Sequence, residues 1–210
     1  MRGGATRKVG LGTLGWSLAA VVTRLQLARL FTETPRYEVE LGQRRFEVRR
    51  YASRVQAETV LNAASWGGSL NDGFGRLAAY ISGKNARREK IAMTAPVTVT
   101  VGAVDRATRT VTFKMPDRES VESLPAPNDK TITLRWVPPR RIATLVFSGR
   151  YGADWPEHEK WQLMHHVRAA HLLPIGDVTF AAYDAPWVLP WLRRNEVWVE
   201  VSSAPAMNPA

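Results

Sequence analysis

The four histidines of this 210-residue chain are its most obvious candidates for metal binding or proton transfer. His158 and His165 lie seven positions apart in a predicted helix, so about 10 Å of helix axis separates them. That distance exceeds the reach of one zinc ion, whose bonds to histidine nitrogen are about 2 Å long. The adjacent side chains of His165 and His166 point about 100° apart on a helix. These three histidines therefore predict no shared metal site.

His171 differs from the other histidines because it falls on the apolar stripe of the same predicted helix. Its neighbours on the helical wheel are Leu163, Met164 and Val167. We expect a histidine at the helix end, close to the last carbonyl groups. Ligation of the metal of a bound cofactor is the alternative.

Nucleophilic catalysis has no support in the sequence. The chain contains no cysteine, which excludes disulfides, thiolate metal sites and cysteine nucleophiles. The motifs G-x-S-x-G, S-x-x-K and H-E-x-x-H are absent, as is the phosphate-binding motif G-x-x-x-x-G-K-[ST]. We therefore predict no catalytic residue, no metal ion held by the protein and no enzymatic activity.

The net charge of +10 would suit a nucleic-acid or membrane partner. Half of it lies in residues 1–36, which hold six basic residues and one acidic residue. Two further basic clusters fall in predicted loops: Lys84, Arg87, Arg88 and Lys90 in the first, Arg140 and Arg141 in the second. Because neither cluster is interleaved with aromatic residues, we expect solvated loop charges and no nucleic-acid partner.

Residues 1–34 are predicted to form a basic, apolar leader. Arg7 and Lys8 precede an uncharged stretch from Val9 to Thr23, as in a secretory signal. A spanning helix needs ~20 apolar residues, and this stretch is shorter. The apolar character continues to Phe31, which is typical of a basic amphipathic helix lying in a membrane surface. We expect a membrane-associated or exported protein, with a cytoplasmic protein as the alternative.

A segment rich in tryptophan and arginine covers residues 187–196. Trp187 and Trp191 lie four positions apart, beside Arg193 and Arg194. A flat apolar surface next to guanidinium groups would suit a planar ligand that carries carboxylates. The other interpretation is a loop that packs on the core, with one of the arginines paired with Glu196.

The hydrophobic pattern predicts strands and two helices. Helical spacing of Phe74, Leu77 and Ile81 predicts a first helix that begins near Ser69 and ends at Gly83. A second helix is predicted over residues 156–172. Alternation of apolar and polar residues predicts strands over residues 37–41, 46–51, 55–60, 90–101, 110–115, 131–137, 142–149, 178–183 and 195–201.

The order strand, strand, helix, strand, strand occurs twice in this pattern, at a spacing of roughly 90 residues. We predict one α+β domain over residues 35–201, in which two equivalent halves close a single antiparallel sheet or barrel. Both helices would lie on its outside. Residues 202–210 are predicted to form a disordered tail.

Several sequence blocks occur in a characteristic order along residues 35–201. They are FEVRRY at 46–51, Gly73, Phe74 and Leu77, YISGKN at 80–85, KIAMTAPV at 90–97, FKMP at 113–116, LPAPND at 124–129, FSG at 147–149, and YDAPWVLPWLRRNEVWV at 183–199. This series resembles that of the SOUL haem-binding protein family. The resemblance implies a twisted antiparallel β-barrel with two flanking helices and two pseudo-symmetric halves, similar to the ligand-binding domains of certain multidrug-responsive regulators.

The resemblance also implies non-covalent, non-catalytic binding of haem or a related tetrapyrrole. The family's proposed porphyrin surface is apolar, along the first helix and nearby strands, with basic side chains towards the propionates. On this sequence the implied haem-binding residues are Arg50, Phe74, Arg76, Leu77, Ala78, Ile81 and His171.

Axial ligation of the iron is where this sequence departs from some relatives. They carry a histidine at the position of Arg50, and arginine stays protonated, so it could pair only with a propionate. Ala79 likewise stands where relatives can carry a basic residue. Axial ligation is expected to be absent, or to come from His171, Tyr80 or Met93.

The sequence thus predicts a haem carrier or buffer that binds its ligand through burial of the ring and through pairing of arginine with carboxylates. Two alternatives stay open. One is a sensor or carrier of other hydrophobic small molecules. The other is a protein-interaction module on the same fold, which predicts no small-molecule binding and an exposed patch around Trp187 and Trp191.

Overall fold

The computed structural model describes residues 32–62, 66–102, 108–117, 119–150 and 156–203. Residues 1–31 of the predicted leader and residues 204–210 of the predicted tail lie outside the described residues. Within the described ranges, no helix is both long enough and apolar enough to cross a membrane.

Nine strands and two helices make up the described chain. They are β1 (Tyr37–Gln43), β2 (Phe46–Tyr51), β3 (Arg54–Asn62), α1 (Trp66–Ile81), β4 (Val97–Val101), β5 (Thr108–Lys114), β6 (Ile132–Val137), β7 (Arg140–Phe147), α2 (Glu157–Ala169), β8 (Leu172–Ala182) and β9 (Asn195–Ser203). The predicted alternation is visible in β3, where Val55, Ala57 and Leu61 are buried and the intervening Gln56 and Glu58 are partly exposed. The fold is therefore α+β, as predicted.

All nine strands pair antiparallel in one sheet, in the order β1-β2-β7-β9-β8-β4-β5-β3-β6. β1 and β6 form its two edges, so the sheet is open and the predicted closed barrel is not confirmed. From β2 to β6 the order is symmetric about the β8–β4 pair. This order is expected of two equivalent halves, β2 to β5 and β6 to β9, that exchange their first strands. β2 pairs with β7 of the second half, and β6 pairs with β3 of the first half.

Both helices pack on one face of the sheet. α1 contacts β3 and β5, and α2 contacts β7, β8 and β9. Leu77 of α1 and Leu163 and Val167 of α2 have no exposed surface and belong to the main hydrophobic core. A smaller cluster on the opposite face contains Tyr51 and Trp198. The sheet therefore presents one face covered by helices and one face that the helices leave uncovered.

The strand predicted over residues 90–101 is shorter in the structure, because only residues 97–101 pair as β4. The preceding residues are held by other contacts. The backbone N–H of Ile91 donates to the carbonyl of Ile81 (2.8 Å), and Thr94 Oγ1 donates to the carbonyl of Lys114 (2.6 Å). Residues 90–93 thus lie next to the C-terminal end of α1.

The predicted position of His171 on the apolar stripe of α2 is wrong. The helix ends at Ala169, and β8 begins at Leu172. His171 lies in the turn between them, with a φ angle of 52° and an exposed side chain. Its backbone N–H donates to the carbonyl of Arg168 (3.0 Å), so the turn closes the helix before the stripe reaches His171.

Gly73 marks the closest approach of α1 to the sheet, since a Cβ atom there would lie 2.4 Å from Val111 Cγ2. A Cβ atom at Gly75 would have nothing within 4 Å. We expect Gly73→Ala to lower the free energy of unfolding by about 1–3 kcal/mol through overpacking. Gly75→Ala should raise it by about 0.5–1 kcal/mol, because alanine favours a helix. Urea unfolding measures both changes, and equal effects would contradict this close packing.

Candidate functional site

The outer surface of α1 is the accessible part of the predicted site. Phe74 is 42% exposed, and its ring centroid lies 5.4 Å from that of buried Phe113. Ala78, one turn further along, is half-buried. Leu77 and Ile81 are only 0% and 7% exposed, so they belong to the core and do not present their side chains to a ligand at the surface. Phe74 and Ala78 therefore form a short strip, which we call the apolar strip.

Arg76 lies on another side of α1. It is two positions from both Phe74 and Ala78, and a spacing of two positions in a helix corresponds to about 200° of rotation. Its Nη1 atom donates to Thr131 Oγ1 at 3.0 Å, next to the start of β6. Thr131 Oγ1 in turn donates to Asp129 Oδ1 at 2.7 Å. Arg76 is thus held towards β6, away from the apolar strip.

The chain reverses direction after α1 in a segment that we call the basic turn, residues 82–91. Buried Asn85 organises it: Nδ2 donates to the carbonyls of Tyr80 (3.0 Å) and Glu89 (2.7 Å). Its Oδ1 accepts from the backbone N–H groups of Arg87 (3.2 Å) and Glu89 (3.1 Å). One side chain therefore fixes the conformation of the turn.

Lys84, Arg88 and Lys90 of the basic turn are exposed, and none of them forms an ion pair with another described residue. Arg87 differs, because its Nε atom lies 3.0 Å from Glu89 Oε2. Seven residues of helix separate Phe74 from the end of α1, about 10 Å along the axis. The apolar strip thus ends close to three cations. The sequence alone predicts these cations to be solvated loop charges, although their position directly after the helix is a usable signal for a site.

Two other predicted site residues lie away from α1. Arg50 is on β2, where its Nη2 atom is 2.6 Å from Glu40 Oε1. Glu40 also accepts a hydrogen bond from Arg141 Nε (2.6 Å), and this contact lowers the pKa of the Glu40 carboxyl. His171 is in the turn after α2. The structure therefore groups Phe74, Arg76 and Ala78 on the surface of α1, but does not bring Arg50 or His171 to that helix.

The predicted axial ligands also differ in accessibility. Tyr80 is 1% exposed, its hydroxyl donates to the carbonyl of Pro125 (2.9 Å), and burial raises its pKa to about 12. Met93 is 41% exposed, two residues after Ile91. In the part of the chain that the structure describes, no group of three or more histidine, aspartate or glutamate side chains could hold a metal ion.

The arginines of the tryptophan-rich segment are engaged in the fold. Arg193 is buried, and its Nε atom donates to the carbonyl of Val188 (2.7 Å). Arg194 contacts Glu196 Oε1 at 2.6 Å and lies 4.1 Å from the centre of the Tyr183 ring. The segment therefore does not offer the predicted pair of free guanidinium groups beside its tryptophans, and the predicted pairing with Glu196 is the one observed.

A buried ion-pair network lies on the face of the sheet opposite the helices, and the sequence analysis did not identify it. Glu196 is 0% exposed, and its Oε2 accepts from Arg49 Nη1 (2.9 Å), Trp198 Nε1 (2.5 Å) and the Tyr183 hydroxyl (3.3 Å). Arg49 is 1% exposed and also contacts Glu47 (2.6 Å). Because these groups bind one another, we interpret the network as structural.

Two cavities among the described residues have linings that mix charged, polar and apolar side chains. One of about 510 Å³ lies between residues 33–36, 87–92 and 116–125, and it mixes four acidic with three basic side chains: Glu33, Glu89, Asp117, Glu119, Arg36, Arg87 and Lys90. Another, of about 240 Å³, lies on the face opposite the helices, and four threonines and five charged residues line it together with apolar side chains. Sites for small organic ligands usually have volumes of about 300–1,000 Å³ and mostly apolar linings.

A protein-family model described as SOUL heme-binding protein matches residues 32–200 of the chain. The chain belongs to the SOUL family. The match covers both helices and all strands of the described fold except the last three residues of β9. The family predicted from the order of the sequence blocks is thereby confirmed.

Two curated relatives of this SOUL-family chain are named for haem. Human Heme-binding protein 2 is 27% identical over 165 residues, which cover 76% of this chain and 80% of the human protein. Mouse Heme-binding protein 1 is 28% identical over 142 residues, which cover 62% of this chain and 70% of the mouse protein.

Solved structures show how widely the fold of the SOUL-family chain is shared. The EcmrR C-terminal domain superposes with a TM-score of 0.61 at 11% identity, covering 80% of this chain and 99% of that domain. A hydrolase from Listeria innocua superposes with a TM-score of 0.55 at 10% identity, covering 78% of this chain and 94% of that protein. At such low identities the likeness shows the fold alone.

Proposed function

We propose that this SOUL-family chain binds haem or a related tetrapyrrole without catalysis, as a carrier or buffer, on the surface formed by the apolar strip and the basic turn. One observation carries the proposal: an exposed apolar side chain on α1 is followed, after the C-terminal end of the same helix, by three exposed cations. Haem has the matching arrangement, an apolar ring with two carboxylates at one edge. Family membership and the two relatives named for haem support this ligand.

The ring would lie against Phe74 and Ala78, with the propionates directed towards Lys84, Arg88 and Lys90. Each Å² of apolar surface removed from water contributes ~25 cal/mol. A macrocycle that buries several hundred Å² would therefore offset a large part of the association cost, which is about 4–15 kcal/mol. Charge pairing at the basic turn would orient the ring rather than supply most of the affinity.

Axial ligation is not required by this mode of binding. Tyr80 donates its hydroxyl proton to Pro125, and His171 belongs to the turn after α2. Met93 is the predicted axial ligand that is exposed near the basic turn, and a thioether is a known haem ligand. A carrier role agrees with weak ligation, because release of the ligand then requires no iron–protein bond to break.

An absorbance titration of the full chain with ferric haem tests the proposal. We expect a saturable change of the Soret band with one haem per chain. Phe74→Asp should raise the Kd about 10–100-fold, because it removes ~1.5–3 kcal/mol of apolar burial and adds a negative charge beside the propionates. Trp161→Asp is the matched control, since Trp161 is an exposed aromatic residue (66%) on the other helix.

Circular dichroism and urea unfolding establish that both variants are folded before their affinities are compared. A linear, unsaturable response of the wild-type chain would exclude specific haem binding. Equal affinities of the Phe74→Asp variant and the wild type would exclude the surface of α1 as the site. Loss of binding in the Trp161→Asp variant alone would move the site to α2.

A specific observation also favours the second alternative, an interaction module. Trp187 and Trp191 are 75% and 69% exposed, as that hypothesis predicts. This patch belongs to the loop between β8 and β9. The interaction module predicts no small-molecule binding, so saturable binding of haem in the titration would contradict it.

A further inference from the structure

The loop between β8 and β9, residues 184–194, exposes four large apolar side chains. We call it the tryptophan loop. Trp187 and Trp191 are 75% and 69% exposed, and Leu189 and Leu192 are 41% and 36% exposed. Isolated exposed apolar residues are common in soluble proteins, but a contiguous group of four marks an interaction surface.

Contacts within the loop hold these side chains at the surface. Val188 is 7% exposed and points into the protein, and Arg193 is 8% exposed. The Arg193 guanidinium donates to the carbonyls of Pro186 and Val188, and the backbone N–H of Arg194 donates to Asp184 Oδ2 (2.6 Å). These internal contacts hold the loop in one conformation, with both tryptophans outward.

Three arginines lie beside the tryptophan loop, on the β7 and β2 side of β9. Arg150 follows Gly149, whose backbone N–H donates to the carbonyl of Pro190 (2.9 Å). Arg44 and Arg45 form the turn between β1 and β2, where the Arg45 carbonyl accepts from Val146 N–H (2.8 Å). β2 lies two strands from β9, a distance of about 10 Å.

These arginines give the surface an excess of positive charge. All three are exposed, and among the described residues none of them forms an ion pair. The tryptophan loop contains one acidic residue, Asp184, which is buried. The outward surface therefore combines aromatic and aliphatic side chains with cations and carries no exposed carboxylate of its own.

The folded unit begins at the same end of the sheet. Asn195, Ala182, Val97 and Phe113 are successive cross-strand partners, so β9 and β5 are about 14 Å apart in this row. Glu33 forms a bridge with Thr94 and an ion pair with Lys114, the residue after Phe113. The 31 residues that precede the described chain, five of them basic and none acidic, are therefore attached at this end.

We propose that the tryptophan loop, with Arg44, Arg45 and Arg150, docks this protein onto an anionic membrane surface. Tryptophan concentrates at the boundary between water and acyl chains, because its ring is apolar and its indole N–H is polar. Arginines next to the surface are attracted by anionic headgroups. Cations from two separate segments beside one apolar loop match a planar anionic surface, and the basic, apolar leader sequence is attached at the same end.

Partitioning of the full chain onto vesicles tests this docking. Vesicles of phosphatidylcholine alone and of phosphatidylcholine with phosphatidylserine are titrated, and the partition coefficient is measured by sedimentation. We expect Trp187→Ser with Trp191→Ser to lower the partition coefficient at least tenfold on anionic vesicles. Trp161→Ser is the matched control, because Trp161 is similarly exposed but lies on α2. This control should bind as the wild type does.

The charge is tested with Arg44→Gln, Arg45→Gln and Arg150→Gln combined. We expect about a fivefold loss for each arginine on anionic vesicles and little change on phosphatidylcholine alone. Unchanged partitioning of the double tryptophan variant would overturn the proposal and assign any membrane binding to the leader. Self-association that this variant abolishes, without vesicle binding by the wild type, would overturn it in favour of a protein contact.

Discussion

Replacing Arg49 with methionine is expected to lower the free energy of unfolding by about 3–5 kcal/mol, as removal of one partner from a buried ion pair does. Arg49 is 1% exposed, and its loss leaves the carboxylate of Glu196 buried with one cation fewer. Domains of this kind are stable by only about 5–15 kcal/mol, so the variant should lose a large share of its stability. Urea unfolding followed by circular dichroism measures the change.

The next residue provides a matched control. Arg50 is on the same strand, and its ion pair with Glu40 involves a side chain that is 61% exposed. Arg50→Met should therefore change the free energy of unfolding by at most about 1 kcal/mol, as is typical of surface ion pairs. Arg49→Met combined with Glu196→Leu should cost less than the sum of the single changes. Equal effects at positions 49 and 50 would contradict a structural role for the network.

The two arginines of FEVRRY illustrate what the sequence reveals and what it does not. Alternation predicted β2 and implied that Arg49 and Arg50 point to opposite faces. The alternation did not reveal which of the two arginines is buried. The residue that decides this is Glu196, the partner of Arg49, which lies 147 positions away on β9. Neighbouring side chains of like charge thus have opposite environments through a contact that only the folded sheet creates.

The α1 region illustrates the same limit for the candidate site. Helical spacing correctly placed Phe74, Leu77, Ala78 and Ile81 on one helix, but a stripe pattern does not divide core residues from surface residues. The structure does so, since Leu77 packs in the core while Phe74 remains at the edge. The basic turn was visible as a charge cluster, but its position beside the apolar strip depends on the hydrogen bonds of Asn85.

His171 fails for a different physical reason. A helical wheel assumes that the helix continues through every residue placed on it. Here the helix ends at Ala169, two residues before His171, so the wheel does not apply to His171. Leu172 and Leu173 belong to an apolar run that suits a strand as well as a helix, and they pair with Ser203 and Ser202 of β9. This pairing with the last strand took precedence over local helix propensity, which is a weak determinant when tertiary contacts compete.

Reversing the charges of the basic turn should weaken haem binding about 30–100-fold. The variant combines Lys84→Glu, Arg88→Glu and Lys90→Glu, so three attractive contacts with the propionates become repulsive. An exposed contact of this kind contributes about 0.4 kcal/mol, and reversal roughly doubles the change, so the three positions together amount to about 2–3 kcal/mol. The same titration with haem dimethyl ester should show no difference between variant and wild type, because the ester carries no propionate charge.

A second triple variant separates local pairing from net charge. Arg44→Glu, Arg45→Glu and Arg150→Glu change the charge of the chain by the same amount, next to β2 and β7, which are five and four strands from β5 in the sheet. The basic turn lies near the end of β5, since Arg87 and Lys90 line the same cavity as Asp117. We expect this variant to bind haem nearly as the wild type does, since screening limits charge effects to about 10 Å at 0.1 M salt. Equal losses in both variants would mean that the chain attracts haem through its net charge alone. A loss confined to the basic turn, and absent with the ester, would locate the propionates at the C-terminal end of α1.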